Sequence, residues 1–222
     1  MKWLALMPLR GGSKSIPLKN ILEIEGKPLF AWALESAVAS ECFDAILVAT
    51  DSPQIEEAVQ SWFGDQVTVV PRTTDSATDT AATELVMMEV CKKFDFAVMS
   101  LIQATSPLTK PEHFVEAQRV FIEESLDSLF TGVEKKSFYW SFKNKPLNYQ
   151  PTKRPRRQDF EGCIEENGAF YYTKKEILEA HHSRLGGKIG HYLMSESTVF
   201  ELDEPADVEV IAALLSKMKG SS

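Results

Sequence analysis

The stretch Trp3-Leu-Ala-Leu-Met-Pro-Leu-Arg10-Gly11-Gly12-Ser13-Lys14-Ser15-Ile16-Pro17-Leu18-Lys19-Asn20 decides how this chain is read. The short apolar run from Trp3 to Met7 has the pattern of a buried first strand in an α/β domain. Gly11 and Gly12 then let the backbone approach a ligand with no Cβ in the way. Arg10, Lys14 and Lys19 converge on the same small loop, together with several backbone N–H groups. Fixed positive charge beside N–H dipoles is what a polyphosphate requires. The spacing is neither G-x-x-x-x-G-K-[ST] nor G-x-G-x-x-G. On residues alone it reads as a phosphate-binding turn after strand one, and it also fits a solvated basic turn.

Working outward, the 222 residues suffice for a substantial core, and 44% apolar with 25% charged residues is an ordinary globular balance. No apolar run approaches the roughly 20 residues of a membrane span, so no membrane partner is expected. Arg10 interrupts the first apolar stretch too early for a secretory leader. Cys42, Cys91 and Cys163 are odd in number and far apart, which points to free thiols in a reducing cytosol. A net charge of −8 argues against general nucleic-acid binding. An acidic chain that binds an anion must concentrate its cations locally.

Strand and helix alternate for the first two-thirds. Ala45 to Thr50 reads as a second strand, and Ser52-Pro53 opens a helix with a capping residue and proline at its first position. Gln66 to Pro71 reads as a third strand. Thr80 to Phe94 reads as a helix with Ala81, Leu85, Met88 and Cys91 along one face. Phe96 to Ile102 is a fourth strand, Pro111 to Glu124 a helix, and Ser128 to Val133 a fifth strand. This rhythm predicts a mostly parallel sheet covered on both faces. Ligands in such sheets bind at the carboxyl ends of strands. Arg10, Asp51, Arg72 and Gln103 all fall just beyond predicted strand ends, so they should gather at one edge.

The rhythm breaks after Glu134. Clustered aromatics (Phe138, Tyr139, Trp140, Phe142) and then Pro146, Pro151 and Pro155 suggest a β-rich protruding arm. Gly168 to Thr173, Ile189 to Met194 and Thr198 to Leu202 read as returning strands. A last helix from about Glu204 to Met218 carries Val208, Ile211, Ala212 and Leu215 on one face. Within the arm, Lys153-Arg154-Pro155-Arg156-Arg157 favours arginine three to one. Planar guanidinium groups suit a bidentate carboxylate or phosphate clamp. A nucleic-acid or nuclear-localisation patch and a plain solvated surface remain alternatives. Glu201 and Asp203, two apart on the predicted strand, would face the same way and suit Mg²⁺. Asp203 equally fits a cap for the final helix.

Four blocks together resemble the signature of N-acylneuraminate cytidylyltransferases, also called CMP-sialic acid synthetases. They are Arg10-Gly-Gly-Ser-Lys-Ser-Ile-Pro-Leu-Lys-Asn20, Ile102-Gln-Ala-Thr-Ser-Pro107, Lys153-Arg-Pro-Arg-Arg-Gln-Asp159 and Glu166-Asn-Gly-Ala-Phe-Tyr171. They occur in the family's order across the whole chain, and the third looks most like the animal-type branch. The resemblance implies a single domain over residues 1–222 with a three-layer nucleotide-diphosphosugar-transferase (Rossmann-like) α/β fold. Its sheet would be mixed but mostly parallel, with a β-rich dimerisation arm at about 135–165. It further implies Mg²⁺ and a homodimer, a tetramer being left open, in which the arm reaches into the neighbouring subunit. CTP and a nine-carbon 2-keto sugar acid would give CMP-sugar and pyrophosphate.

Carried over by residue, Arg10, Lys14, Lys19 and Asn20 would hold the nucleotide and its phosphates, with Leu9, Gly11 and Ser13 beside them. Arg72 and Thr80 would lie along the cytidine pocket. Gln103, Ser106, Arg157, Gln158, Asn167 and Tyr171 would face the sugar. Asp203, with Glu201, would ligate Mg²⁺, and Asp203 would help activate the anomeric hydroxyl. Two positions depart from the family: Leu9 stands where alanine is usual, and Glu201-x-Asp203 replaces Asp-x-Asp. Activation of legionaminic, pseudaminic or octulosonic acid on the same fold is an alternative. So is a non-catalytic module that binds through residues 153–157. The expected setting is bacterial cytosol, or the nucleus for an animal protein. On the resemblance, Lys14→Ala should cut turnover at least a hundredfold, about 3 kcal/mol in the transition state. Steady-state pyrophosphate release checks this; near-wild-type turnover would remove the loop from the chemistry.

Overall fold

The computed structural model describes residues 1–12, 15–78 and 81–219, so Ser13, Lys14 and Thr80 lie outside the described residues. The chain begins β1 (Trp3–Leu9), β2 (Glu23–Ile24), β3 (Lys27–Pro28), α1 (Leu29–Ala39), β4 (Ala45–Thr50), α2 (Pro53–Phe63) and β5 (Thr68–Pro71). It continues α3 (Thr83–Lys93), β6 (Val98–Ile102), α4 (Pro111–Glu123), β7 (Ser128–Lys135), β8 (Cys163–Lys174), α5 (Lys175–His181), β9 (Ile189–Leu193) and α6 (Asp207–Lys219).

Seven strands form one sheet in the order β5-β4-β1-β6-β8-β7-β9. β8 alone runs antiparallel to its neighbours β6 and β7, so the sheet is mixed but mostly parallel. β1 is buried along nearly its whole length, because β4 and β6 pair with its two edges in parallel and helices pack on both faces of the sheet. The chain moves outward from β1 to β4 and β5, then returns to lay β6 on the other flank of β1. That reversal opens a crevice beyond the carboxyl ends of β1 and β6.

Each face of the sheet carries its own core. On one, Phe30, Ile55 and Phe114 from α1, α2 and α4 pack against Met7, Leu9 and Phe170. Trp3 lies edge-on to Tyr172 (5.0 Å) and Phe121 (5.4 Å), and Phe114 to Phe170 is 4.5 Å. On the other, α3 and α5 pack against Leu4, Leu6 and Met99. A third cluster seats Ile211 and Leu215 of α6 on Ile24, Leu29 and Leu108. Among the described residues, no helix is long and apolar enough to cross a membrane.

Several sequence expectations need correction. The predicted strand Thr198 to Leu202 is a 3-10 turn (Glu196–Val199) followed by irregular backbone. Leu202 N–H donates to the Thr105 carbonyl at 2.8 Å, which ties this segment to the loop after β6 and away from any sheet edge. α3 starts at Thr83 and buries Val86, Met87, Val90 and Cys91, whereas Leu85 is 46% exposed. The segment 136–162 is not β-rich. It holds an isolated Trp140–Pro146 bridge and two 3-10 turns, and stacked rings organise it, Phe138 lying 4.4 Å from Tyr149 and 4.7 Å from Phe160.

Phe114 is fully buried between Phe43 and Phe170. Phe114→Ala should therefore cost about 3–5 kcal/mol, read as a lowered midpoint in urea unfolding. A loss under about 1 kcal/mol would mean that this aromatic layer is not a principal support.

Candidate active site

A cleft of about 440 Å³ occupies the crevice at the strand-order reversal. Pro8 and Arg10 enter it from the end of β1, and Ile102, Gln103, Ala104 and Thr105 from the end of β6. Lys19 and Asn20 come from the loop after β1, and Glu201 and Asp203 from the segment before α6. Arg72, Thr78, Ala81 and Thr83 form the remaining wall.

The loop after β1 is held from within. Asn20 Nδ2 donates to the Arg10 carbonyl at 3.0 Å, and Gly11 N–H donates to Asp51 Oδ1 at 3.0 Å. A Cβ on Gly11 would stand 2.9 Å from the Cβ of Ser52, so only glycine fits there. Lys19 reaches across the cleft, its Nζ donating to the Leu202 carbonyl (2.9 Å) and to Asp203 Oδ1 (3.0 Å). Ser15 Oγ donates to the Asp203 carbonyl at 2.5 Å. Asp203 is thus fastened to the loop after β1. The turn into α6 belongs to Asp207, whose Oδ2 accepts from the N–H groups of Asp203 (2.9 Å) and Glu204 (2.7 Å). The capping alternative for Asp203 is set aside on that geometry.

Glu201 lies deeper. Ser106 Oγ donates to its Oε1 at 3.4 Å. Burial first, and the charge of Asp203 second, push its carboxyl above the usual glutamate range. A cation between the two carboxylates would relieve both causes, which is the donor set that magnesium accepts when phosphate oxygens complete its shell. Among the described residues, no group of three or more His, Cys, Asp or Glu side chains forms a closed metal cage. Gln103 Nε2 donates to the Gly168 carbonyl at 2.6 Å. Gly168 has φ +65°, and a Cβ there would meet that same amide at 2.7 Å. Arg72 donates to the Ser76 carbonyl, while its Nε is buried with no partner among the described residues. Burial pulls its guanidinium below the ordinary value, opposed by the charges of Asp51 and Glu89.

The structure therefore brings Arg10, Lys19, Asn20, Arg72, Gln103, Glu201 and Asp203 to one cleft. Other expected residues stand elsewhere. Leu9 is in the core, and Gly11 supports the loop from behind. Ser106 backs Glu201. Asn167 is buried, its Nδ2 bound to Thr198 Oγ1 (2.9 Å) and Met194 Sδ (3.3 Å), and so it acts as a structural bolt. Tyr171 is buried and donates to Glu166 at 2.9 Å, outside the cleft. Arg157 and Gln158 lie exposed on the segment between β7 and β8 and do not line the cleft. Sequence reasoning missed Pro8, Thr78, Ala81, Thr83 and Thr105. They are small or neutral, and nothing but their position marks them.

Residues 4–219 match the family model described as cytidylyltransferase. The chain belongs to the cytidylyltransferase family. It is 35% identical over 211 residues to N-acylneuraminate cytidylyltransferase A of Danio rerio, covering 91% of this chain and 48% of the relative. The chain thus spans about half the length of the first such relatives. It is also 29% identical to a pseudaminic acid cytidylyltransferase of Campylobacter jejuni, covering 100% of this chain and 99% of that protein. A solved structure of CMP:2-keto-3-deoxy-manno-octonic acid synthetase complexed with CTP superposes at a TM-score of 0.75. It covers 98% of this chain and 100% of that one at 18% identity, a likeness of fold.

For this cytidylyltransferase-family chain, the geometry separates the roles of Asp203, before α6, and Asp207, its first residue. Asp207→Ala should lower stability by about 1 kcal/mol, whereas Asp203→Asn should leave the melting temperature near wild type. The hydrogen bonds from Glu204 and Asp203 lower the Asp207 pKa from its ordinary 3.8. Its contribution is therefore present above that value and lost as the pH falls through the lowered one. Thermal melts at pH 7 and pH 3 check both statements; a large loss in Asp203→Asn at pH 7 would reassign the turn.

Proposed function

We propose that the protein activates a nine-carbon 2-keto sugar acid of the sialic acid type with CTP, yielding the CMP-sugar and pyrophosphate. The observation that carries this reading is one cleft in which Arg10, Lys19 and Arg72 stand opposite Glu201 and Asp203 in a chain of net charge −8. The Danio rerio and Campylobacter jejuni relatives are named for this type of reaction, and the similar fold was solved with CTP.

The chemistry follows from that arrangement. A triphosphate brings roughly four negative charges, and Arg10 and Lys19 offset part of them. Lys19 must exchange part of its contact with Asp203 for phosphate oxygens. Arg72, whose Nε has no partner among the described residues, offers a donor on the wall where the nucleoside lies. The anomeric hydroxyl of the sugar acid is a weak nucleophile that must approach the α-phosphate in line with departing pyrophosphate, so positioning dominates. Asp203 helps activate that hydroxyl. Glu201 and Asp203 would hold a magnesium ion, which when bound neutralises phosphate oxygens.

The sugar carboxylate needs a guanidinium, and the exposed cluster at 153–157 is the richest source. Trp140, Phe142 and Leu147 on the same segment are exposed, Phe142 completely. An exposed apolar tip beside a guanidinium cluster supports a homodimer in which this segment reaches the neighbouring subunit's cleft. Similarity to the pseudaminic acid enzyme along its full length keeps that sugar acid as the second reading.

A pyrophosphate-release assay with CTP, Mg²⁺ and a panel of sugar acids tests the proposal. N-acetylneuraminate or its deaminated form should support turnover that chelation of the metal abolishes. Preference for pseudaminic acid would select the second reading. No release with any sugar acid would remove the enzyme assignment.

A further inference from the structure

Away from the cleft, a group of charged and polar side chains lies half-buried between α3, β8 and the loop after α5. Arg184 Nε donates to Glu84 Oε1 at 2.6 Å, and both side chains are only 22% exposed. The guanidinium carbon of Arg184 lies 5.1 Å over the ring of Tyr171, which in turn donates to Glu166. The backbone of Arg184 is fastened as well, its carbonyl accepting from Thr173 Oγ1 at 2.5 Å. Arg184 is therefore anchored on β8 at Tyr171 and Thr173.

Its partner stands where the fold most needs a fixed point. Glu84 occupies the first turn of α3, where a carboxylate also favours the helix dipole. The N-cap position of α3 is Ala82, which supplies no side-chain hydrogen bond. Thr78, Ala81 and Thr83, at and just before this helix start, line the cleft beside Arg72. The start of α3, and with it that wall, is held from across the fold by an ion pair where a local cap would usually serve.

We propose that Arg184 is a positioning residue. Through Glu84 it sets where α3 begins, and so fixes Ala81 and Thr83 in the wall that receives the nucleoside triphosphate. This rests on the reading of the cleft as a nucleotide site. Burial works against both charges, yet the pair and the contacts around it outweigh it: with backbone hydrogen bonds the Glu84 carboxyl lies below its ordinary value, and with Tyr171 the Arg184 guanidinium lies above. Removing either group leaves the other half-buried and uncompensated. The wall then shifts, while the arms of the cleft built on β1 and before α6 stay in place. The loss should fall on the nucleotide and spare the sugar acid.

The experiment compares wild type, Arg184→Ala, Glu84→Gln and the double variant. It uses steady-state kinetics in each substrate, CTP calorimetry without sugar acid, and melting curves. Arg184→Ala is expected to raise the KM and the dissociation constant for CTP about tenfold, with kcat and the sugar-acid KM within twofold of wild type. Glu84→Gln should act in the same direction, and the double variant should be no worse than the poorer single one, since both break one contact. Should Arg184→Ala fail to fold, the milder Glu84→Gln reads the same coupling. Unchanged CTP affinity, or equal rises in both KM values, overturns the positioning role. Wild-type protein that fails to bind CTP overturns the nucleotide reading of the cleft, and this inference with it.

Discussion

Lys19 and Asp203 meet at 3.0 Å across 184 positions of sequence, and the candidate site depends on that meeting. The loop after β1 carries cations that would repel one another if left to themselves. The segment before α6 carries two carboxylates with the same difficulty. Each answers the other. Lys19, only 14% exposed, lies between the Leu202 carbonyl and the Asp203 carboxylate, and Ser15 adds a second link to the Asp203 backbone. The cleft is thereby closed by opposite charges before any ligand enters. On the proposed reading, a triphosphate arriving with a cation would offer each side a replacement for the partner it gives up.

How much of this was legible in the sequence differs by element. Strands β1, β4 and β6 were readable because parallel strands covered on both faces need unbroken apolar runs. The start of α2 was readable from Ser52-Pro53. α1 was missed, and its buried Leu29, Phe30, Ala31, Ala33, Leu34 and Ala37 explain why. A helix apolar nearly all round shows little periodicity. The β2–β3 hairpin was also missed, since its turn uses Glu25-Gly26, both at positive φ, in place of the usual Asn-Gly or Asp-Gly. The Thr198 to Leu202 error has a different origin. Its composition suits a strand, but tertiary links to Thr105 and Asn167 decide its path.

The site divides along similar lines. Charged residues in short motifs (Arg10, Lys19, Glu201, Asp203) were found from sequence because their chemistry is rare and concentrated. Asn167 and Tyr171 carry equally polar groups, yet the fold uses them internally, one to bolt β8 to the 195–198 turn and one to meet Glu166 and Arg184. A motif marks residues by their chemical type and spacing. It does not tell which of them face the ligand and which hold the facing ones in place. Gly168 illustrates the second kind: it admits Gln103 and Glu201 side by side only because it has no Cβ.

Glu201, at a position where the sequence resemblance implies aspartate, shows how such supports set limits on the chemistry. The additional methylene carries its carboxylate further from the backbone, toward Ser106 and the bare Gly168. Burial there raises its carboxyl, so the charged form is costly until a cation or a donor arrives. Asp203 instead stands paired with Lys19 at 3.0 Å and largely exposed. The two carboxylates are therefore unequal: one is paired and nearer solvent, the other deeper and short of positive charge. A metal held between them would find its electrostatic gain mainly at Glu201 and its exchangeable contact at Asp203. The longer side chain is thus compatible with a magnesium site provided the Gly168 and Ser106 side of the cleft keeps the room that Glu201 now uses.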